Sequence, residues 1–146
     1  MAMRKGSAVW QGSLRDGKGT VKVESGLFEG PYSFVSRFET GPGTNPEELI
    51  GAAHAGCFSM ALAGVLDRMK TPPRKVETTA EVMIEPVGRG FQITSIVLRT
   101  TGDVPGASEE DFRRAAEEAK ANCPVSQALT GVRISVVAQL KKGESA

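Results

Sequence analysis

Two cysteines, Cys57 and Cys123, and a single histidine, His54, are the residues of this 146-residue sequence best suited to covalent chemistry. A cysteine attacks as its thiolate, and a thiol with an ordinary pKa of about 8.5 is only about 3% ionised at pH 7, so a reactive one needs a cation or backbone N–H groups beside it. Cys57 falls several turns inside a long helical run, beyond the reach of the helix start, and needs a side-chain cation. Cys123 stands directly before Pro124, where a helix can begin, and draws that help from backbone alone. Local chemistry therefore favours Cys123 as the reactive thiol. His54 precedes Cys57 by one turn on the same face, which suggests a Cys–His pair; the plainer alternative is a hydrogen-bonded core or interface histidine. Burial as small apolar residues is the commonest fate of free thiols and stands as the alternative for both cysteines. A metal site from His54, Cys57, Cys123 and a carboxylate lacks any paired Cys-x-x-Cys or His-x-x-x-His spacing, so no metal is expected.

The rest of the composition narrows the setting. Eighteen Lys+Arg against 17 Asp+Glu give a net charge of +1, which leaves no electrostatic footprint for nucleic acid. The length suits one domain, 1–146, able to bury roughly 70% of its unfolded surface without disulfide staples. The first residues run straight into polar-apolar alternation rather than a signal core, and no stretch approaches the ~20 apolar residues that span a bilayer. The expectation is a cytoplasmic protein without membrane partners, where paired cysteines are more often redox-active or metal-binding than structural.

The elements that position these residues follow from periodicity and punctuation. Residues 7–11, 20–25 and 32–38 read as an antiparallel meander, with turns at Asp16-Gly17 and Gly30-Pro31. In the third strand Tyr32, Phe34, Ser36 and Phe38 share one face, and Arg37 points away with Ser33 and Val35. Asn45 as N-cap, Pro46 at the first helical position and Glu48 closing a capping box then start a helix running to about Met69, ended by Thr71-Pro72-Pro73. Glu47 is left without a capping role. The middle of this helix is apolar nearly all round, and Gly51, Gly56 and Gly64 each cost ~1 kcal/mol relative to Ala, so something must approach its backbone closely. So apolar a helix in so short a chain suggests cover from a second subunit. Residues 75–85 and 91–101 form a hairpin. An amphipathic helix capped by Ser108 follows, with Phe112, Ala115, Ala116 and Ala119 as its stripe. Asn122-Cys123-Pro124 interrupts it, a short turn reaches Leu129, and 132–140 alternate as a last strand. Hairpin spacing with two helices indicates an α+β fold.

Residues 44–62, TNPEELIGAAHAGCFSMAL, together with Asn122-Cys123-Pro124-Val125-Ser126-Gln127, resemble the OsmC/Ohr family of osmotically inducible and organic-hydroperoxide-resistance proteins. Gly17-Lys18-Gly19-Thr20, Glu24-Ser25-Gly26 and Ser36-Arg37-Phe38-Glu39 extend the likeness, to the OsmC branch, over nearly the whole chain. The resemblance implies antiparallel sheets around a long buried central helix and a second helix, in an intertwined homodimer with active sites at the subunit interface. It implies a thiol-dependent peroxidase, without cofactor, in which Cys57 is the peroxidatic cysteine and Cys123 the resolving one, overriding the local preference for Cys123. Arg37 matches the arginine that assists the thiolate and Glu47 the acid that orients it, while His54 matches only the OsmC-type motif. Organic hydroperoxides are the expected substrates, hydrogen peroxide a poorer one, and an external dithiol the reductant. The alternative is a redox-sensing or small-ligand-binding dimer without turnover. Ten residues separate Glu47 from Cys57, ~15 Å along one straight helix, so the partner subunit is expected to bring Glu47, with its Arg37, to Cys57.

Overall fold

The computed structural model describes residues 1–141, and the chain divides into two compact units, Met1–Leu49 and one from Ile50 onward. In the first unit β1 (Gly6–Gln11), β2 (Lys18–Val23) and β3 (Glu29–Tyr32) form an antiparallel sheet in the order β1-β2-β3. Gly30-Pro31, expected as a turn, lies inside β3, with Pro31 opposite Thr20. An edge strand tolerates proline because its outer side needs no N–H.

The strand expected over 32–38 stops at Tyr32 and gives way to a one-turn helix, α1 (Phe34–Phe38). Two serines make the switch. Ser33 Oγ accepts from the Ser36 N–H at 3.2 Å, and Ser36 Oγ accepts from the Ser33 N–H at 2.8 Å, a reciprocal capping box. On a helix Phe34 and Phe38 are i,i+4 neighbours, and their rings pack at 5.0 Å between centroids. Arg37 is therefore not held apart from the aromatic side: its guanidinium lies 5.0 Å from the Phe38 ring centre.

The chain then returns to the sheet. The Thr44 N–H bonds the Pro31 carbonyl at 2.8 Å, and the Ser36 hydroxyl donates to the Thr44 carbonyl at 2.7 Å. Gly43 makes this return possible, with φ +114° and a missing Cβ that would sit 2.8 Å from the Pro31 oxygen. Asn45 caps α2 (Pro46–Arg68) as expected, its Oδ1 accepting from the Glu48 N–H at 2.8 Å. Glu48 does not close the box; its carboxylate accepts from the Thr44 hydroxyl at 2.6 Å.

The second unit continues α2 and adds β4 (Lys75–Val87), β5 (Gly90–Asp103), α3 (Glu109–Asn122), α4 (Pro124–Ala128) and β6 (Arg133–Leu140). The β4–β5 hairpin turns through Gly88-Arg89, with φ +61° at Gly88. The sheet order is β4-β5-β6, and β6 runs parallel to β5 after the crossover through α3 and α4. The α+β class holds, with this one parallel pairing beyond the hairpin spacing of the sequence. Phe58, Leu62, Val65 and Leu66 of α2 join a core with Ile96 and Leu98 of β5 and with the whole expected stripe of α3, Phe112, Ala115, Ala116 and Ala119.

α2 ends in a left-handed turn. Lys70 has φ +63°, the Thr71 N–H bonds the Leu66 carbonyl, and the Lys70 N–H bonds that of Asp67, the pattern of a Schellman cap. Contrary to the sequence expectation, α2 is long and apolar enough to cross a membrane by length and composition, with mean hydropathy 1.7 over its best eighteen residues; the core helix of a water-soluble protein has the same character. Only 33% of that window is buried within one chain. Ala52, Ala53 and Gly56 face outward, with Met60 80% exposed. At Gly51 a Cβ would come within 3.2 Å of the Ala80 carbonyl, which accounts for that glycine, whereas at Gly56 nothing lies within 4 Å.

Candidate active site

Each unit contributes one pair of the residues that the resemblance singles out. In the first, the serine box of α1 directs Arg37 toward the first turn of α2, where Glu47 is only 5% exposed. Arg37 donates twice to one carboxylate oxygen: Nε at 3.0 Å and Nη2 at 2.9 Å, both to Glu47 Oε1. Two charge-assisted bonds on one acceptor fix the plane of the guanidinium. Glu47 Oε2 is buried without a hydrogen-bond partner among the described residues. Beside Arg37 lies a cavity of about 220 Å³ walled by Trp10, Leu14, Tyr32, Phe34 and Phe38. It is an apolar pocket with one cation in its lining, and Trp10 and Leu14 were not singled out by the sequence reading.

In the second unit the two thiols meet. Cys57 on α2 and Cys123 before α4 are both reduced, with their sulfurs 2.8 Å apart in a shared hydrogen bond. Cys123 is fully buried and serves as N-cap of α4, with Pro124 at the first helical position. Burial would raise the Cys123 thiol pKa. Its hydrogen bond with Cys57, helped by the N–H and hydroxyl of Ser126 and the N–H of Val125, outweighs this and holds the thiol below its ordinary value. Cys57 moves the other way, pushed up first by burial and then by its hydrogen bond with Cys123. Within this unit Cys123 is thus the more acidic of the two thiols, in line with the local sequence argument. To attack as a thiolate, Cys57 needs a cation.

His54, one turn before Cys57, is fully buried, and its Nε2 lies 2.7 Å from Ser126 Oγ. Burial pushes its imidazole pKa down and keeps it neutral. The hydrogen-bonded core histidine is the reading that fits; its partner is Ser126, not Cys57. Ser126 escaped sequence reasoning, although its place three residues after the N-cap Cys123 marks it as a side chain able to turn back on that cap. Among the described residues no group of three or more His, Cys, Asp or Glu side chains is placed to hold a metal.

The arrangement is that of a dithiol redox protein built on an α+β scaffold. The chain belongs to the OsmC-like protein family, whose profile matches residues 39–137. It is 49% identical over 139 residues to Peroxiredoxin OsmC of Escherichia coli, covering 94% of this chain and 96% of that one. It is 32% identical over 104 residues to Organic hydroperoxide resistance protein-like 2 of Staphylococcus epidermidis, covering 68% and 71%. Among solved structures, an organic hydroperoxide resistance protein from Elizabethkingia anophelis superposes with a TM-score of 0.69 at 26% identity, over 97% of this chain and 99% of the other.

Proposed function

We propose that this protein is a cysteine-based peroxidase that reduces organic hydroperoxides, and hydrogen peroxide less well, in the cytoplasm, and that residues 1–146 act as one functional domain within a homodimer. Its relatives named for peroxiredoxin and hydroperoxide-resistance activity support the reaction class. The observation that carries the chemistry is the 2.8 Å separation of the Cys57 and Cys123 sulfurs. The Cys57 thiolate attacks the distal peroxide oxygen; an S–O bond forms, the O–O bond breaks, and the alkoxide leaves and takes up a proton as alcohol. Cys57 is then a sulfenic acid. Cys123 displaces its oxygen as water and closes a disulfide, and an external dithiol restores both thiols by exchange.

Arg37 supplies the cation that Cys57 lacks in its own unit. Its guanidinium stabilises the thiolate and the departing alkoxide, and Glu47 is the positioning residue that holds it. We assign the Arg37–Glu47 pair at each site to the subunit opposite the thiols, a reading supported by the ten-residue spacing of Glu47 and Cys57 along α2. The outward face of α2 around Gly56 and Met60 supports a second copy as its cover. The aromatic cavity beside Arg37 suits the organic part of the substrate.

The test is intact mass under denaturing, thiol-blocked conditions after one equivalent of cumene hydroperoxide. Loss of two hydrogens in the wild type, and a gained oxygen on Cys57 in Cys123→Ser, are expected. Multiple turnovers with dithiothreitol, abolished in Cys57→Ser, then separate an enzyme from a sensor. Unchanged mass overturns the proposal, and activity that survives Cys57→Ser but not Cys123→Ser reverses the two roles.

A further inference from the structure

The peroxidase cycle leaves one buried polar pair without a role, His54 and Ser126. They come from distant parts of the chain, α2 and α4, and meet at 2.7 Å with His54 wholly buried and Ser126 8% exposed. The direction of the bond follows from what surrounds it. His54 Nδ1 is buried and has no hydrogen-bond partner among the described residues. A buried N–H without an acceptor is rarer and more costly than a bare lone pair, so the ring proton belongs on Nε2, the nitrogen that has a partner. Nε2–H therefore donates to Ser126 Oγ, and the hydroxyl hydrogen of Ser126 is free to go elsewhere. Cys123 stands three residues before it at the start of the same short helix, and the Ser126 side chain helps hold the Cys123 thiol below its ordinary value. The His54–Ser126 bond and the 2.8 Å contact of Cys123 with Cys57 thus both join α2 to the start of α4, three residues apart on each side.

We propose that His54 and Ser126 are positioning residues for the resolving half of the cycle, a buried donor chain that holds Cys123 aimed at Cys57. The proposal rests on the peroxidase reading for the sulfenic acid that Cys123 attacks. In that step the Cys123 lone pair forms the S–S bond as the S–O bond of the Cys57 sulfenic acid breaks. The Cys57 sulfur is reduced by one formal unit and the Cys123 sulfur oxidised by one. The departing hydroxide takes up the proton that Cys123 gave up, leaving as water. A neutral donor chain suits the step: it supports the attacking sulfur without adding a second cation to the one that Arg37 supplies. Without it Cys123 is protonated more of the time, the sulfenic acid persists, and a second peroxide can carry Cys57 on to the sulfinic acid.

The experiment uses the full-length protein and the variants Ser126→Ala and Ser126→Thr. Ser126→Ala removes one hydroxyl from a helix, and Ser126→Thr restores it. Rapid-quench mass spectrometry with cumene hydroperoxide times the appearance and loss of the Cys57 sulfenic acid. In Ser126→Ala, disulfide formation is expected to slow about tenfold more than sulfenic acid formation, the scale of a lost hydrogen bond to a charged group, with sulfinic acid accumulating. Ser126→Thr is expected to return both yields toward wild type. Equal slowing of the two steps, or no slowing, overturns the proposal. A second measurement needs no peroxide: in the Cys57→Ser background the rate of alkylation of Cys123 by iodoacetamide at neutral pH is expected to fall in Ser126→Ala and recover in Ser126→Thr. A wild type that fails to form sulfenic acid sinks the peroxidase reading and the resolving role together. Alkylation rates that ignore the hydroxyl sink the donor chain alone.

Discussion

Arg37 and Glu47 meet through one oxygen: Nε and Nη2 both donate to Oε1, at 3.0 and 2.9 Å. A fork closed on a single acceptor fixes the plane of the guanidinium, which a lysine ammonium cannot reproduce. Arg37→Lys is therefore expected to lower kcat/KM for cumene hydroperoxide by about tenfold or more although the charge is kept, and Glu47→Gln by about three- to tenfold. Because the two act as one unit, the double variant is expected to be little worse than Arg37→Lys alone. Additive losses in a double-mutant cycle would show that they work separately.

Phe34 lines the cavity beside Arg37 and packs on Phe38. Truncating it to Ala removes apolar contact with an organic substrate while leaving Arg37 and Glu47 in place. The expected result is a KM for cumene hydroperoxide raised about fivefold or more, with hydrogen peroxide little affected, since even a lost methylene contact is worth roughly 1–3 kcal/mol. Parallel changes for both peroxides count against the cavity as the substrate's seat.

His54 links stability to pH. In the unfolded chain a histidine takes up a proton as pH falls through about 6.5. Burial holds the folded group below that value, so across this window the unfolded state binds more protons and stability falls as pH is lowered. The stabilisation is complete above about pH 6.5 and is lost progressively as pH falls toward the folded pKa. Melting temperatures measured from pH 7.5 to pH 5 are expected to decline at the acid end, and to decline less steeply in His54→Asn. An identical slope in the two proteins would mean that other groups govern the acid limb.

Met60 is 80% exposed on a face of α2 that also bears Ala52, Ala53 and Gly56. On a monomer Met60→Lys is an ordinary surface change worth no more than about 0.5 kcal/mol. In a dimer that covers this face it buries a charge. Sedimentation velocity at micromolar concentration is expected to show a dimer for the wild type and a monomer for Met60→Lys, with unchanged circular dichroism. A dimer that tolerates the lysine places the interface elsewhere.

What the sequence disclosed depended on whether the local signals agreed. At Asn45-Pro46, at Ser108 and along Phe112, Ala115, Ala116 and Ala119, cap chemistry and periodicity pointed the same way, and helices stand there. From residue 32 to 38 they conflicted. Phe34, Ser36 and Phe38 satisfy an alternation of two, while Phe34 and Phe38 alone satisfy a helical spacing of four, and five residues are too few for periodicity to decide. The deciding chemistry was Ser33 with Ser36, a capping box without the usual acid. The parallel course of β6 was not legible because it depends on how α3 and α4 return the chain, and alternation is the same for either direction. Cys57 and Cys123 were legible as a pair through family resemblance. Ser126 was not, since its importance arises from His54, 72 residues away.

The two sulfurs belong to residues 66 positions apart in the chain. Joining them closes a loop that removes much of the freedom of the unfolded ensemble, about 4 kcal/mol by chain-entropy reckoning. Linkage makes the effect mutual: whatever the cross-link adds to the fold, the fold adds to the cross-link. The oxidised protein is then the sturdier form, and a weaker oxidant than the same cysteines would be in a denatured chain. A dithiol that reduces it works against native architecture as well as a sulfur–sulfur bond, so a denaturant that loosens α4 should hasten reduction.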